Sequence, residues 1–281
     1  MALTADESAQ VEAANASGKR PAVFIHGLWL LPSSWDRWRR LFEGEGYVTL
    51  APGWPDDPST VEEARARPEV FAGKSIGALT DHHAAVVRKL DTKPVLVGHS
   101  FGGLITQQLA GRGLAAASVA VDPAPFRGVL PVPLAALRAT LPVLRRPSNR
   151  RRAVMLSERQ YRFAFANAVS SAEARALYAT YPVPGAGLPV FQAAFANINP
   201  RSETRVDRRN PGRGPLMLIG GERDNTVPWA MLNAAYKKQR RNAAVTELIQ
   251  VPGRGHSLVF DNGWEQIAQL ALEFFGKHLP S

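Results

Sequence analysis

The chain has 281 residues, of which 45% are apolar and 21% charged, with 23 Gly, 22 Pro and no Cys. This balance is typical of a globular enzyme, and the lack of Cys excludes a disulfide framework, an iron–sulfur cluster, a Cys-ligated zinc site and a cysteine nucleophile. The first 20 residues lack the apolar core of a signal peptide and no apolar run is long enough to span a bilayer, so the sequence predicts a cytoplasmic protein without stable membrane insertion.

The formal net charge of +10 comes from one internal segment. Residues 123–214 contain 15 Arg and 4 acidic residues, whereas the rest of the chain holds 19 basic and 20 acidic residues. Three interpretations stay open for this excess: a solvated face, attraction of anionic substrates or lipid surfaces, and nucleic-acid binding. Because the Arg-rich run at 145–152 is interrupted by Pro and lacks interleaved aromatic residues, we predict no nucleic-acid partner.

Short apolar or β-branched runs predict six strands, and stretches with helical spacing separate most of them. The predicted strands are Ala22–Ile25, Val48–Ala51, Val95–Val97, Ser118–Val121, Leu216–Ile219 and Thr246–Val251. The predicted helices are Ser34–Glu43, Ile76–Leu90, Gly102–Ala110, Trp229–Arg240 and Trp264–His278. Such alternation is typical of an α/β fold with a mostly parallel central sheet flanked by helices.

The alternation stops after Val121 and resumes only at Pro215, which is far longer than an ordinary connection. Within this gap, helical patterns, two of them opened by capping boxes, cover residues 133–144, 158–168, 171–180 and 190–197. The expected organisation is an N-terminal extension at 1–20, a core formed by 21–122 and 215–281, and an inserted helical cap, or lid, at 123–214.

The strongest chemical signal is the run Gly98-His99-Ser100-Phe101-Gly102, which follows an apolar strand and opens a helix. Glycines on both sides let the strand and the helix approach each other closely, and the sharp turn between them presents the serine hydroxyl above the sheet. The amino terminus of the helix also places partial positive charge where an oxyanion would form. This context predicts a nucleophile at Ser100; a Gly/Ser-rich loop that binds phosphate is the alternative.

A serine hydroxyl is a weak nucleophile unless a base accepts its proton, so a histidine partner is required. In the chain order that accompanies such a turn the histidine follows the serine, which leaves His256 and His278. His278 lies near the end of the last predicted helix, where a solvated role explains it. His256 follows the last strand on a glycine-flanked loop at the carboxyl edge of the sheet, so it is the predicted general base.

The carboxylate that orients the imidazole should lie on a strand-end loop between Ser100 and His256. Asp224 lies just beyond a predicted strand, where it can reach the imidazole Nδ1–H and fix its tautomer, and it is therefore the predicted acid. Asp122 also ends a strand and stays the alternative. Glu222 is expected to point to solvent.

Stabilisation of the oxyanion requires a second backbone donor beside the Phe101 N–H. The run that ends in His26-Gly27-Leu28-Trp29 supplies one, because the glycine lets the next amide turn toward Ser100. The predicted second donor is therefore the Leu28 N–H. His26 is expected to tie the loop down rather than to contact the substrate.

Aromatic residues near the predicted strand ends are candidates for the substrate pocket. Trp29, Trp35 and Trp54 fall on or near such loops, and Trp29 and Trp54 are the predicted substrate-binding residues. In the cap, Tyr161 and Phe165 are spaced i, i+4 and are expected to pack on each other. A lid with an apolar underside fits a small hydrophobic ester better than a protein or a polysaccharide.

The Ser100 turn, the His26-Gly27 loop, Asp224 and His256 stand in an order that resembles the α/β-hydrolase family, and the resemblance covers about 21–278. Its motifs look like those of small bacterial esterases and lipase-like hydrolases. The resemblance implies a helical lid and a triad that works without a metal or cofactor. Two departures stand out: the usual first hairpin is expected to be missing, and the serine argues against the haloalkane dehalogenase and epoxide hydrolase branches, which place Asp there.

Together these residues predict a serine hydrolase, a carboxylesterase or lipase-like enzyme that cleaves a small hydrophobic ester through an acyl-enzyme on Ser100. His256 would be its general base and Asp224 its orienting acid. The same groups can also act on lactones, thioesters or carbon–carbon bonds, or form peracids, and a non-hydrolytic ligand-binding receptor on the same fold is the alternative from another class. The sequence predicts no particular oligomeric state.

Overall fold

Six strands form the central sheet of the computed structural model, which describes residues 3–130 and 132–280. The strands in chain order are β1 (Pro21–Ile25), β2 (Val48–Leu50), β3 (Val95–His99), β4 (Ala117–Val121), β5 (Ala153–Val154), β6 (Gly185–Ala186), β7 (Leu216–Gly221) and β8 (Thr246–Val251). The sheet has the order β2-β1-β3-β4-β7-β8 with every neighbouring pair parallel, while β5 and β6 pair with each other antiparallel outside it. All six strands predicted from the sequence therefore belong to this sheet.

Helices precede or follow most strands of the sheet. They are α1 (Ala5–Ala16), α2 (Asp36–Gly44), α3 (Val61–Ala66), α4 (Ile76–Val87), α5 (Phe101–Gly111), α6 (Leu134–Leu144), α7 (Glu158–Ala164), α8 (Ser171–Thr180), α9 (Gly187–Ala194), α10 (Trp229–Gln239) and α11 (Trp264–His278). The α/β fold with a mostly parallel central sheet flanked by helices is thus confirmed. No helix in 3–130 or 132–280 is long and apolar enough to cross a membrane.

The inner strands are apolar along their whole length because both faces of the sheet are covered. Every residue of β1, β3, β4 and β7 is buried. Phe24 of β1 lies in an aromatic cluster with Trp35, Trp38 and Phe42, with ring centroids 5.1–6.3 Å apart. Trp35, a loop aromatic by its position in the sequence, is therefore a fully buried core residue.

Helix α1 occupies most of the expected N-terminal extension, where we predicted no element. Its start is a capping box: the Thr4 hydroxyl accepts from the Glu7 N–H, and the Glu7 carboxylate accepts from the Thr4 N–H. Val11 and Ala14 are buried against the core, and the Gln10 side chain accepts a hydrogen bond from a backbone amide just after β2. The extension is therefore packed on the sheet.

In the described residues between β4 and β7 there are four α-helices, α6 to α9, together with the β5–β6 ribbon. Helix α6 contacts α9, and α7 contacts α8. Tyr161 and Phe165 stack with ring centroids 5.1 Å apart, which is the packing that their i, i+4 spacing predicts. The helices lie close to the predicted positions, whereas the ribbon, with two residues in each strand, has no signal in the sequence.

Candidate active site

Ser100 lies at the turn between β3 and α5, in a conformation that side-chain-bearing residues rarely adopt. Its φ is +54° and its ψ is −118°. Neighbouring backbone holds it there: the Ser100 N–H donates to the Val121 carbonyl at 3.0 Å, and the Ser100 carbonyl accepts from the Ala124 N–H at 2.9 Å. The strained turn is thus fastened to the end of β4, as a sharp strand-to-helix elbow requires.

The two glycines around Ser100 are needed because backbone approaches backbone there. A Cβ at Gly98 would overlap the Gly102 carbonyl and the Thr106 hydroxyl. A Cβ at Gly102 would overlap the Ile25 carbonyl oxygen and lie 2.6 Å from that of His26. The first turn of α5 therefore packs directly on the end of β1.

The Gly102→Ala variant should be destabilised by about 3 kcal/mol or more, because the added methyl meets rigid backbone on β1. Unfolding in urea measures the difference. The matched control is Gly276→Ala on α11, where an added Cβ meets nothing within 4 Å and the helix gains up to about 1 kcal/mol. Equal stability of the Gly102 variant and the wild type would contradict the close approach.

His256 and Asp224 are joined by a short, buried hydrogen bond. The His256 Nδ1 lies 2.6 Å from the Asp224 Oδ2, and both side chains are fully buried. The other carboxylate oxygen accepts from the backbone N–H of Thr226 at 2.6 Å and of Val227 at 2.9 Å. Three donors thus fix this carboxylate in place and orientation.

The second ring nitrogen of His256 is the atom available for proton transfer. Because Nδ1–H donates to Asp224, Nε2 carries the lone pair. Nε2 is buried and has no hydrogen-bond partner within 3–130 and 132–280, and it forms no hydrogen bond with the Ser100 hydroxyl. Such bonds are often long in unliganded sites and tighten when a substrate binds.

Asp122, the alternative acid, lies at the end of β4 but does not bond to His256. Its Oδ1 accepts from the Gly221 N–H at 2.9 Å, whereas its Oδ2 is 3.9 Å from the His256 Nδ1. Complete burial and the neighbouring Asp224 carboxylate raise the pKa of Asp122 well above its ordinary value. This environment therefore favours the neutral form of Asp122, and Asp224 is the carboxylate that bonds to His256.

The other candidates of the sequence analysis lie away from this arrangement. The Glu222 carboxylate is exposed and accepts from the Gly253 N–H at 2.7 Å. His278 pairs with Glu247 at the end of α11. Neither residue reaches the groups around Ser100.

Two backbone amides near Ser100 have no acceptor among the described residues. Phe101 is the first residue of α5, so its N–H has no partner within the helix. The Leu28 N–H likewise donates to no acceptor in the part of the chain that the structure describes. Gly27 packs against the turn, where an added Cβ would lie 2.8 Å from the Ser100 Cβ and 2.9 Å from the His99 carbonyl oxygen. Both predicted oxyanion donors are thus free beside Ser100.

His26 belongs to a buried polar network that holds the loop after β1. Its Nε2 is 3.1 Å from the Asp57 Oδ2 and its Nδ1 is 2.9 Å from the Gly27 carbonyl oxygen. The same carboxylate accepts from the Lys74 Nζ at 2.9 Å and from the Trp54 N–H at 2.9 Å. Burial would raise the pKa of Asp57, but the bonds to His26 and Lys74 outweigh it and hold that pKa below its ordinary value.

The Asp57→Asn variant should lose about 3 kcal/mol at neutral pH, because Lys74 would stay buried without its counter-charge. A folded-state pKa below the unfolded one gives stability that is fully present above the unfolded pKa and is lost as the pH falls through the folded pKa. Unfolding in urea between about pH 7 and pH 3 should therefore show a steeper acid loss in the wild type than in the variant. Asp81→Asn, which breaks an exposed pair with Arg112, serves as the control and should change neither quantity. Parallel pH curves for Asp57→Asn and the wild type would refute this role.

Trp29 and Trp54, the predicted substrate-binding residues, have other contacts. The Trp29 Nε1 donates to the Val154 carbonyl of β5 at 2.8 Å, and its ring packs edge-on against Phe165. The Trp54 ring stacks on His26 with centroids 5.2 Å apart. Neither side chain lines the cavity at Ser100, so the substrate contact predicted for both is not seen there.

The cavity that opens at Ser100 has a volume of about 140 Å³ and no charged side chain in its wall. Ser100 and Phe101 form its base, and Thr226, Val227 and Met231 border it after β7. The opposite wall comes from the segment between β4 and β7, chiefly Phe126, Val129, Val132, Ala136, Leu137, Thr140, Leu144, Val190, Ala193, Ala194 and Ala196. An apolar group attached to a carbonyl at Ser100 would fit this cavity.

One group of side chains in 3–130 and 132–280 has three potential metal ligands within 4.8 Å of one another, namely His99, Asp122 and His256. One nitrogen of each histidine is already engaged: the His99 Nε2 lies 2.9 Å from the His256 carbonyl oxygen, and the His256 Nδ1 donates to Asp224. Burial and the adjacent His256 hold the pKa of His99 well below its ordinary value. These two bonds orient both rings within the Ser100 site, and the function proposed below does not use this group as a metal site.

Comparison with known proteins adds a family and a set of structural relatives. The profile described as the alpha/beta hydrolase family matches residues 22–270. A search of the curated proteins finds no significant sequence match.

Three solved structures are similar over nearly their whole length. A monoacylglycerol lipase from Paleococcus ferrophilus has 18% identity and a TM-score of 0.63 over 92% of this chain and 95% of its own. A thermophilic esterase from Thermogutta terrifontis has 17% identity and a TM-score of 0.64 over 92% and 91%. An extracellular alpha/beta-hydrolase from a Paenibacillus species has 17% identity and a TM-score of 0.61 over 90% and 98%. At these identities the likeness establishes a shared fold, and the cytoplasmic location stays a prediction.

Proposed function

The chain belongs to the alpha/beta hydrolase family, and from this premise we propose that it is a serine hydrolase that cleaves carboxylic esters through an acyl-enzyme on Ser100. The observation that carries the proposal is the His256 imidazole, fixed by Asp224 through Nδ1 and left with a free, buried Nε2 in the site that contains Ser100. A histidine in this state accepts a proton from a serine hydroxyl and later returns it to the leaving group.

The reaction follows from these groups in two halves. His256 takes the proton of Ser100 as the hydroxyl oxygen attacks the ester carbonyl, and the Leu28 and Phe101 amides bind the oxyanion that forms. His256 then protonates the departing alcohol, which leaves the acyl group on Ser100. Water, activated by the same imidazole, releases the acid and restores the serine. Each step needs only these protein groups and water, so we propose a mechanism without metal or cofactor.

The cavity supports a small hydrophobic ester as the substrate. Its wall has no charge, and its volume of about 140 Å³ is near that of cavities that hold one benzene ring, about 150 Å³. We propose that the acyl group occupies this space and that residues 123–214 act as the cap, since α6 and α9 form the wall opposite Ser100. The solved relatives described as a lipase and an esterase are consistent with an ester bond.

Turnover of chromogenic esters of increasing acyl length should peak at short to medium chains, because the cavity ends against α6 and α9. The Ala193→Phe variant, which fills part of the wall on α9, should shift the optimum to a shorter acyl chain. Ala172→Phe on the exposed face of α8 is the matched control and should leave the optimum unchanged.

Three results of the same series would count against the proposal. Turnover with no dependence on acyl length would place the acyl group outside this cavity. If no ester were turned over but a lactone, a thioester or a carbon–carbon substrate were, the assignment of the triad would stand and the proposed reaction would be wrong. Binding of the esters without turnover would favour a receptor on the same fold.

A further inference from the structure

Helix α6 exposes apolar side chains to solvent along one face. Leu134 is 83% exposed, Leu137 45% and Leu141 55%, and their i, i+3, i+7 spacing places them on one stripe of the helix. The residues that α6 buries are Ala136, Ala139, Pro142 and Val143. The three leucines lie off this buried face and remain 45–83% exposed.

Further exposed apolar residues continue this stripe around the mouth of the cavity. Phe195 and Ile198 at the end of α9 are 53% and 78% exposed, and Asn197 between them bonds to the loop before α6 through the Gly128 N–H at 2.6 Å. Two of the exposed residues, Val132 and Leu137, also line the cavity. We call the whole set the rim patch; it comprises Leu130, Val132, Leu134, Leu137, Leu141, Phe195 and Ile198.

Five arginines lie directly after the exposed stripe. They are exposed, and their side chains form no ion pair or hydrogen bond within 3–130 and 132–280; the set, here called the Arg run, is Arg145, Arg146, Arg150, Arg151 and Arg152. Arg145 is eleven residues after Leu134 and so lies on the same face of the helix. The apolar stripe therefore ends in concentrated, unneutralised positive charge.

We propose that the rim patch and the Arg run together form a docking surface for an anionic lipid bilayer. Exposed leucines beside basic residues suit the boundary between headgroups and acyl chains, since the apolar side chains enter it while guanidinium groups bind phosphate oxygens. Docking would place the mouth of the cavity against the lipid, from which an apolar molecule can pass directly toward Ser100. The bilayer binding itself does not require turnover.

Charge argues against the two other occupants of such a surface. A second copy related by a two-fold axis through this surface would bring the two Arg runs near each other, and their like charges would repel. A nucleic acid would bind the arginines through its phosphates, but its bases stack on aromatic rings and not on aliphatic side chains. Phe195 is the one aromatic residue of the rim patch.

The proposal is tested by co-sedimentation of the whole chain with vesicles of phosphatidylcholine alone and of an equimolar mixture with phosphatidylglycerol. The wild type should partition at least about tenfold more strongly to the anionic vesicles, and the binding should weaken as salt rises from about 0.15 M to about 1 M. Leu134→Gln/Leu141→Gln and Arg145→Gln/Arg146→Gln should each lose most of this binding. Neither pair lines the cavity, so both variants should hydrolyse a soluble short ester like the wild type.

Matched controls lie at the opposite, amino end of the sheet, where Val245 directly precedes β8. Val245→Gln and Arg240→Gln/Arg241→Gln replace exposed residues of the same types and should keep the binding. Equal binding to both vesicle types, or loss in the controls as well, would overturn the proposal. Retention of binding in the leucine variant with loss in the arginine variant would indicate a polyanion site instead. A dimer in solution that the leucine variant dissociates would identify a second copy as the occupant.

Discussion

Replacing Ser100 by alanine should lower kcat on a chromogenic ester by about 10⁶-fold, because the oxygen that forms the acyl-enzyme is removed. The fold should persist, since Ser100 is fastened by its backbone bonds to Val121 and Ala124 and not by its side chain. Steady-state kinetics of the purified variant measures the loss, and thermal unfolding verifies that the structure is intact.

The matched control for this prediction is Ser118→Ala. Ser118 is a fully buried serine on β4, and its hydroxyl has no hydrogen-bond partner within the described ranges, so its removal should change neither turnover nor stability appreciably. A fluorophosphonate, which traps activated serines, should add one covalent group to the wild type and to Ser118→Ala and none to Ser100→Ala. Labelling that survives in Ser100→Ala would assign the nucleophile to another residue.

The six strands and the turn at Ser100 could be predicted from the sequence, because each signal depends only on residues that are adjacent in the chain. An apolar run followed by Gly98 and Ser100 can be read without tertiary structure, and the six strands follow from the same kind of signal. The sequence favoured Asp224 over Asp122 only by its position after a strand, and the choice between the two acids depends on tertiary structure. It rests on whether a carboxylate lies 2.6 Å or 3.9 Å from one ring nitrogen, a difference set by the packing of β4 against β7.

Side-chain direction on loops and inserted helices also depends on tertiary contacts. Trp29 has a φ of +65°, and its indole bonds to the β5–β6 ribbon, which itself has no sequence signal. On α6 the helical period was clear, but hydrophobicity alone would turn the leucines inward. The structure instead buries Ala136, Ala139, Pro142 and Val143 against the neighbouring helices and leaves the leucines exposed.

Two helices, by contrast, had signals that we did not use. Thr4 with Glu7 and Thr60 with Glu63 are both capping boxes, and both open helices in the structure, α1 and α3. Neither is followed by a strong apolar period, which is the signal on which the prediction relied. Caps alone would therefore have predicted these elements.

The Asp224→Asn variant should lower kcat by about 10⁴-fold, because an amide at this position can donate to the imidazole and so favours the wrong tautomer. Asp122→Asn should retain nearly all activity. Burial and the adjacent Asp224 raise the pKa of Asp122 well above its ordinary value and so favour its neutral form, which an uncharged amide of the same shape can replace. Its Oδ1 can still accept from the Gly221 N–H.

Comparing the two variants on one ester separates the role of charge from the role of shape at the two positions. If Asp224 is the orienting acid, activity is lost only in Asp224→Asn, because that carboxylate lies 2.6 Å from the His256 Nδ1. Asp122, at 3.9 Å from the same nitrogen, then contributes only its packing. The reverse pattern, with activity lost in Asp122→Asn and kept in Asp224→Asn, would make Asp122 the orienting acid. Equal large losses in both would mean that the two neighbouring side chains act as a unit and that Asp122 contributes more than its shape.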